Sequence, residues 1–208
     1  MALLTSFLCN LLLASAGVAL GNTDNELIIN EASDFITFSK DVNSGANYSG
    51  TTIYLESDLD FSGDLSEQFE PIGKDLNSPF SGIFDGQGNT ISNLAVKSSS
   101  LFVGLFGYTT GTIKSVVMDS SCSVTCNFTG SDSVRVGGII GYHNPSNKNS
   151  ISNIVNMAGV TFERNDDKQS THLSLGGIVG HVSLSSIYET TVRNCINYGK
   201  NKCQPFLY

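Results

Sequence analysis

Tryptophan is absent from the 208 residues, proline occurs four times, and Lys, Arg, Asp and Glu together make up only 14% of the chain, against about 25% in an ordinary soluble domain. Each scarcity argues against something. With few Lys, Arg and Glu, little is left to fill the exposed positions of long helices, which speaks against a helical bundle or coiled coil. Basic residues number 11 against 19 acidic ones, a formal charge of −8. No stretch gathers Lys and Arg into the stripe that phosphate binding needs, so nucleic acid is not an expected partner. What fills the chain instead is Ser (29), Gly (21), Asn (19) and Thr (15), with 40% apolar residues. The β-branched residues recur in order, which separates this composition from disorder.

Residues 2–20 are uncharged and almost wholly apolar, and small residues follow at Ala14-Ser15-Ala16 and Ala19-Leu20-Gly21. That pattern suits a cleaved secretory signal over residues 1–21. Asn10 and Ser15 interrupt the run, which falls short of the roughly 20 residues of a membrane anchor, so no stable span is expected in the mature chain. Asn47-Tyr48-Ser49 and Asn127-Phe128-Thr129 are glycosylation sequons, usable at Asn47 and Asn127 in a secretory route.

After residue 80 a repeat organises the chain. Glycine-bracketed apolar pairs recur at Gly82-Ile83-Phe84, Gly104-Leu105-Phe106-Gly107, Gly138-Ile139-Ile140-Gly141 and Gly177-Ile178-Val179-Gly180. A second element follows each: Ile91-Ser92-Asn93-Leu94, Ile113-Lys114-Ser115-Val116, Ile151-Ser152-Asn153-Ile154 and Val192-Arg193-Asn194-Cys195. Repeats of this length signal stacked units that cannot bury their apolar faces alone. Short β-branched runs without a four-strand Trp-Asp blade argue against a propeller, and a sparse Leu frame argues against leucine-rich repeats. The fold class expected is all-β, a parallel β-helix with a bare rung of about 22 residues over 51–208. Like residues of successive rungs then stack. Ile83, Leu105, Ile139 and Ile178 form one expected column, and Phe84, Phe106, Ile140 and Val179 its neighbour. One of the two is expected to fill the interior and the other to sit near a bend. The bracket glycines, Gly82, Gly104, Gly107, Gly138, Gly141, Gly177 and Gly180, are expected at corners with left-handed or otherwise unusual backbone. Asn93, Ser115, Asn153 and Asn194 are expected as a polar ladder at a turn. Tyr108, Tyr142 and His181 share the position after the bracket and predict an aromatic stack on one edge.

Residues 22–50 differ, and predict an N-terminal cap. Phe35, Ile36, Phe38 and Val42 have helical spacing, with caps expected at Asn30 or Ser33 and a stop at Asn43-Ser44-Gly45. Thr51 to Leu55 follows as a strand. The far end, Cys203-Gln204-Pro205-Phe206-Leu207-Tyr208, lacks a polar closing element, so further repeats of a longer chain, or a docking partner, are expected there.

The phrases Leu55-Glu56-Ser57-Asp58-Leu59-Asp60-Phe61-Ser62-Gly63, Phe69-Glu70-Pro71-Ile72-Gly73, Phe80-Ser81-Gly82-Ile83-Phe84-Asp85-Gly86-Gln87-Gly88 and Gly104-Leu105-Phe106-Gly107 resemble those of GLUG-motif proteins. The resemblance covers roughly residues 27–200. It implies a secreted or cell-surface repeat protein with a right-handed parallel β-helix, and nothing catalytic: the peptidase activity found in that family belongs to a separate zinc domain, and no H-E-x-x-H occurs here.

Chemistry-bearing residues are sparse. Asn22-Thr23-Asp24 and Asp166-Asp167 mimic polygalacturonase motifs but lack the Gly-His-Gly and Arg-x-Lys partners, and Arg135, Arg164 and Arg193 are scattered. A β-helix polysaccharide lyase or hydrolase, needing two carboxyls at a defined separation, is therefore the alternative and not the main reading. Asp58, Asp60 and Asp64 lack the Gly and terminal Glu of a calcium loop. His143, His172 and His181 do not make a recognisable zinc set. No cofactor is expected. Cys122, Cys126, Cys195 and Cys203 are disulfide candidates with three full pairings open; Cys122 meets Cys126 only if a loop bends between them, and Cys195 can equally be a buried thiol. The function expected is non-catalytic adhesion or recognition of a glycan or extracellular protein, through loops at 120–135, 142–150, 162–174 and 181–190.

Overall fold

The computed structural model describes residues 25–165, 172–183 and 188–204. The expected signal, Asn22-Thr23-Asp24, Asp166-Asp167 and the last four residues lie outside them. The described chain is mostly β, and every strand pair in it is parallel.

Four sheets share the strands, and the chain visits them in a fixed order, adding a strand beside the previous one at each return. A long bent sheet has one arm of Glu26–Ile29, Thr52–Leu55, Ile83–Asp85 and Thr112–Lys114, and another of Leu59–Asp60, Thr90–Ser92 and Val117–Met118. Both arms join on Asn149–Asn156, which pairs in turn with Thr190–Asn197. The second sheet holds Ala95–Ser98, Ser123–Phe128, Gly159–Arg164 and Asn201–Gln204; the third, Phe102–Val103, Val134–Gly137 and Leu173–Gly176; the fourth, Phe106–Thr109, Ile140–His143 and Val179–Val182.

Register corrects the sequence alignment in its first unit. Phe84 pairs with Ile113, Ile113 with Ile151, and Ile151 with Val192. The return length is therefore about 29 to 41 residues at these steps, not about 22. Phe84 is not in the column of Phe106; that place is taken by Ile72, which bridges Phe106. Ile83 pairs with Thr112 and is 41% exposed, so it is not an interior residue. Gly82 lies one residue before Ile83, in register with Gly111, and does not belong with the brackets. In the later units the columns stand as aligned: Phe106 beside Ile140 beside Val179, with Leu105 and Ile139 also fully buried. Both columns point inward there because the chain turns from the third sheet to the fourth at this pair, which breaks the alternation of a straight strand.

Three of the four residues of the polar ladder share one corner, and Asn93 does not. Asn93, Ser115, Asn153 and Asn194 all have left-handed backbone, φ between 53° and 57°. Asn153 and Asn194 stack, with Asn194 Nδ2 donating to Asn153 Oδ1 at 3.1 Å. Asn93, however, occupies a different corner: Ile91 pairs with Leu59 and Met118, and Asn93 Nδ2 donates to Asp60 Oδ1 at 2.8 Å. The phrase Ile-Ser-Asn specifies a left-handed bend after a strand, and the fold uses that bend at two corners. For the same reason Leu94 aligns with Cys122 and Ala158, while Cys195 aligns with Ile154. A Cβ in left-handed backbone costs about 1–2 kcal/mol, a cost Asn offsets with local hydrogen bonds. Asn153→Ala should therefore lower the unfolding free energy by about 1–2 kcal/mol and Asn153→Gly by less than half of that, as read from urea midpoints; equal losses would show that the side-chain bond, not the backbone, matters.

The helix runs Ala32–Asn43, and its N-cap is Glu31 instead of Asn30 or Ser33. The Asp34 carboxylate accepts the backbone N–H groups of both Asn30 and Glu31, which places the cap one residue after Asn30 and two before Ser33. Its end at Ser44 and Gly45 is as expected, with Gly45 at φ 110°. Ahead of it, the strand Glu26–Ile29 opens the bent sheet, an element the composition of residues 22–50 did not announce. Phe35 and Phe38 are buried against Phe61, Phe69, Phe80 and Phe84, with ring centroids 5.5–6.3 Å apart. At the other end, each last described strand is paired on one side only. Val192 follows the fully buried Ile151 in register, yet is 53% exposed, and Tyr198 is 69% exposed.

Candidate functional site

The third and fourth sheets meet at the glycine brackets. None of Gly82, Gly104, Gly107, Gly138, Gly141, Gly177 and Gly180 has positive φ, contrary to the corner geometry expected of them. Glycine is required there by close approach instead. A Cβ on Gly138 would stand 2.3 Å from the Gly177 carbonyl oxygen, and one on Gly141 would stand 2.6 Å from the Val103 nitrogen. Backbones of neighbouring passes touch at this seam, which brings the outward side chains of the two sheets side by side.

Those side chains form one cluster, buried at Phe102 and Tyr108 and exposed at His181. Tyr108, Tyr142 and His181 pair in register and stack at centroid separations of 5.4 Å, the aromatic edge the sequence predicts. Phe102, from the third sheet, lies 5.7 Å from Tyr108 and 5.2 Å from Tyr142. Arg135, one strand beyond Phe102, sets its guanidinium 4.7 Å from the Tyr142 ring centre and 5.6 Å from that of Phe102. Such cation–π contacts are worth roughly 0.5–2 kcal/mol. Above Arg135 is a hollow of about 480 Å³ lined by Ser133, Arg135, His172, Leu173, Ser174 and His181, among others. A second hollow, of about 670 Å³, lies beside Asn93 and is lined by Ser62, Ser66, Glu67 and Lys97.

Sequence reasoning passed over Arg135, treating the arginines as scattered. Arg164 indeed donates to the Gly130 carbonyl at 2.6 Å, and Arg193 is exposed on the last strand of the bent sheet. The signal that would have singled out Arg135 is its register beside Phe102, which only the true return length reveals. The stretch 120–135 was expected as a loop, but it contains the strand Ser123–Phe128, whose alternation buries Val124, Cys126 and Phe128, and the start of Val134–Gly137. Parts of 162–174 and 181–190 lie outside the described residues.

The acidic candidates serve corners. Asp58 Oδ1 accepts the Thr90 N–H at 2.6 Å. The Asp60 carboxylate takes bonds from Asn93 and Ser62, and these hold it below its ordinary pKa, the wrong direction for a general acid. Among the described residues no group of three or more His, Cys, Asp or Glu is placed to hold a metal. Of the sequons, Asn47 is exposed, whereas Asn127 is half-buried in a strand with its Oδ1 enclosed and unpartnered.

The four thiols are free in this structure. Cys122 and Cys126 flank and enter the straight strand Ser123–Phe128, which separates their Cα atoms by about 13 Å. Burial pushes the Cys122 thiol up to about 11 and the Cys126 thiol up to about 12. Both therefore stay protonated and pack as small apolar side chains.

His143 is fully buried one residue past Tyr142. Its Nε2 lies 3.1 Å from both Asn149 Oδ1 and Thr190 Oγ1, and Nδ1 is buried with no partner. Desolvation lowers its pKa, only partly opposed by the bond to Asn149. A second ring proton would bury a charge, which the Asn149 side chain and the Thr109 backbone offset only in part. The folded value lies below the unfolded one, so between them the unfolded chain binds the extra proton. Stability should then fall as pH drops through about 6.5, by at most about 1.4 kcal/mol per pH unit from this group. Urea midpoints between pH 5 and 8 should show this slope in the native chain and a shallower one in His143→Leu; parallel slopes would refute it.

No helix among the described residues is long and apolar enough to cross a membrane. No protein-family model, no curated protein and no solved structure matches this chain.

Proposed function

We infer that the chain is a right-handed parallel β-helix of the GLUG-repeat kind, secreted or displayed at the cell surface, and that it recognises glycans without cleaving them. The observation that carries this reading is the seam of the third and fourth sheets, where buried Tyr108, half-buried Tyr142 and exposed His181 stack beside half-buried Arg135 on a run of parallel strands. Aromatic side chains and a few fixed donors are what small polar ligands are bound by, and a scaffold of paired strands holds them without an ordering cost on binding. The apolar leader and the exposed Asn47 sequon support the secretory route. The resemblance of the repeat phrases supports the handedness, and the sheets revisited in constant order support the coil.

A glycan array probed with the purified mature chain tests the reading. Binding to a defined glycan class, weakened at least tenfold by Tyr142→Ala, is the expected result. Flat signal across all glycans, with capture of an extracellular protein instead, would replace glycan by protein as the ligand; release of shortened oligosaccharides would favour the lyase or hydrolase.

A further inference from the structure

The strand neighbours of Arg135 are Phe102 on one side and Ser174 on the other. Phe102 and Tyr142 hold the guanidinium through their rings, while Ser174 is too short to cover it, and the hollow of about 480 Å³ opens at that step. An arginine has five N–H donors in a rigid fork. Among the described residues its guanidinium makes one hydrogen bond, from Nη1 to the Ser133 carbonyl at 3.5 Å, the outer limit for such a bond, and no carboxylate lies within 4.0 Å of it. A half-buried cation, oriented by aromatic rings and not by an anion, thus faces a cavity. Among the described residues its wall also carries His172, His181, Ser133 and Ser174, and no Asp or Glu. In a chain of net charge −8, the hollow thus has a guanidinium in its wall.

We propose that the hollow above Arg135 binds an oxyanion group, sulfate or carboxylate, carried on a sugar ring. The inference rests on the glycan reading above and narrows it to acidic glycans. Guanidinium and imidazole N–H groups form their strongest hydrogen bonds with such oxygens, and a guanidinium matches two of them at once. The volume is within the range of small-ligand sites and exceeds what a bare ion fills. Leu173 in the wall and the ladder edge at His181 give the ring an apolar and an aromatic neighbour. An acidic peptide would call for several spaced cations, and the hollow presents one arginine.

Calorimetric titration of the full mature chain with four probes decides the matter: inorganic sulfate, a sulfated oligosaccharide, a uronate-containing oligosaccharide, and the desulfated neutral sugar. The acidic sugars should bind at least tenfold more tightly than the neutral one and than sulfate, and less tightly as salt is raised. Arg135→Ala should lose at least tenfold, and Arg135→Lys most of that, because a point charge does not replace the fork. Because Arg135 also packs on the rings, Ser174→Phe serves as a second variant that fills the hollow and leaves the arginine in place; it should lose binding equally. Equal affinity for neutral and acidic sugars, or acidic-sugar binding unchanged by Ser174→Phe, would overturn the site while leaving glycan recognition standing. Sulfate binding as tightly as the sugars would overturn the sugar component, and no binding of any sugar would overturn both.

Discussion

Gly138→Ala should destabilise the protein by about 3–5 kcal/mol, a large fraction of the roughly 5–15 kcal/mol that holds a domain together. The added methyl would lie 2.3 Å from the Gly177 carbonyl oxygen and 2.5 Å from Asn156 Nδ2. Neither is the loose end of a flexible chain. Asn156 is fully buried, and its Nδ2 reaches the Gly177 carbonyl at 2.7 Å, the Ala158 carbonyl at 3.1 Å and Asn197 Oδ1 at 2.9 Å. Its Oδ1 accepts the Ala158 N–H at 3.2 Å. One amide thus ties the bent sheet, the turn into the second sheet and the bracket of the next pass. Overpacking costs about 1–3 kcal/mol, and leaving the displaced partners unsatisfied costs about 1–3 kcal/mol more. Gly159→Ala is the control: a Cβ there meets only the Lys200 carbonyl, at 3.9 Å, so its effect should stay within about 0.5 kcal/mol. Chemical denaturation of both variants measures the difference, and similar midpoints would mean that the seam yields freely.

Phe84→Ala should cost about 3–5 kcal/mol. Phe84 is fully buried where the helix meets the sheets, with ring centroids 5.8 Å from Phe35, 6.3 Å from Phe38 and 5.2 Å from Phe106. Removing it opens a cavity bounded by rings from the helix and from the strand Phe106–Thr109, neither of which can close it without leaving its own contacts. The adjacent residue is the internal comparison. Ile83→Ala should cost less than about 1 kcal/mol, since Ile83 faces outward and is 41% exposed. Denaturation midpoints together with the far-ultraviolet helix signal test both, and a reversed order would restore Ile83 to the interior column that the glycine phrases suggested.

That pair of neighbours shows how far the sequence could be read. The parallel all-β character, the strand after residue 51, the short helix and the aromatic stack of Tyr108, Tyr142 and His181 follow from residue types at recurring positions. Local conformation was legible too: each of the four Ile-Ser-Asn-like phrases contains its left-handed residue. The corner each phrase occupies was not, because the bend is a property of three or four residues, whereas register depends on how many residues separate one pass from the next. The inserted segments vary, so the first unit slipped by a corner, taking Gly82, Ile83, Asn93 and Leu94 with it. The roles of the bracket glycines were hidden for a related reason: a positive φ is a local demand, but a missing Cβ at Gly138 answers to Gly177 and Asn156, which belong to other parts of the chain.

By itself, then, the sequence determined the kind of structure. Too few charges for exposed helices, β-branched runs for strands, and Gly, Asn and Ser for bends leave little other than stacked parallel strands. Which side chains stand next to one another was decided only by the tertiary structure. Arg135 became a candidate ligand-binding residue because the third sheet sets Phe102 on one side of it and Ser174 on the other, 33 residues back and 39 residues on. Composition and periodicity act along the chain, whereas a site is built across strands, where register alone selects neighbours.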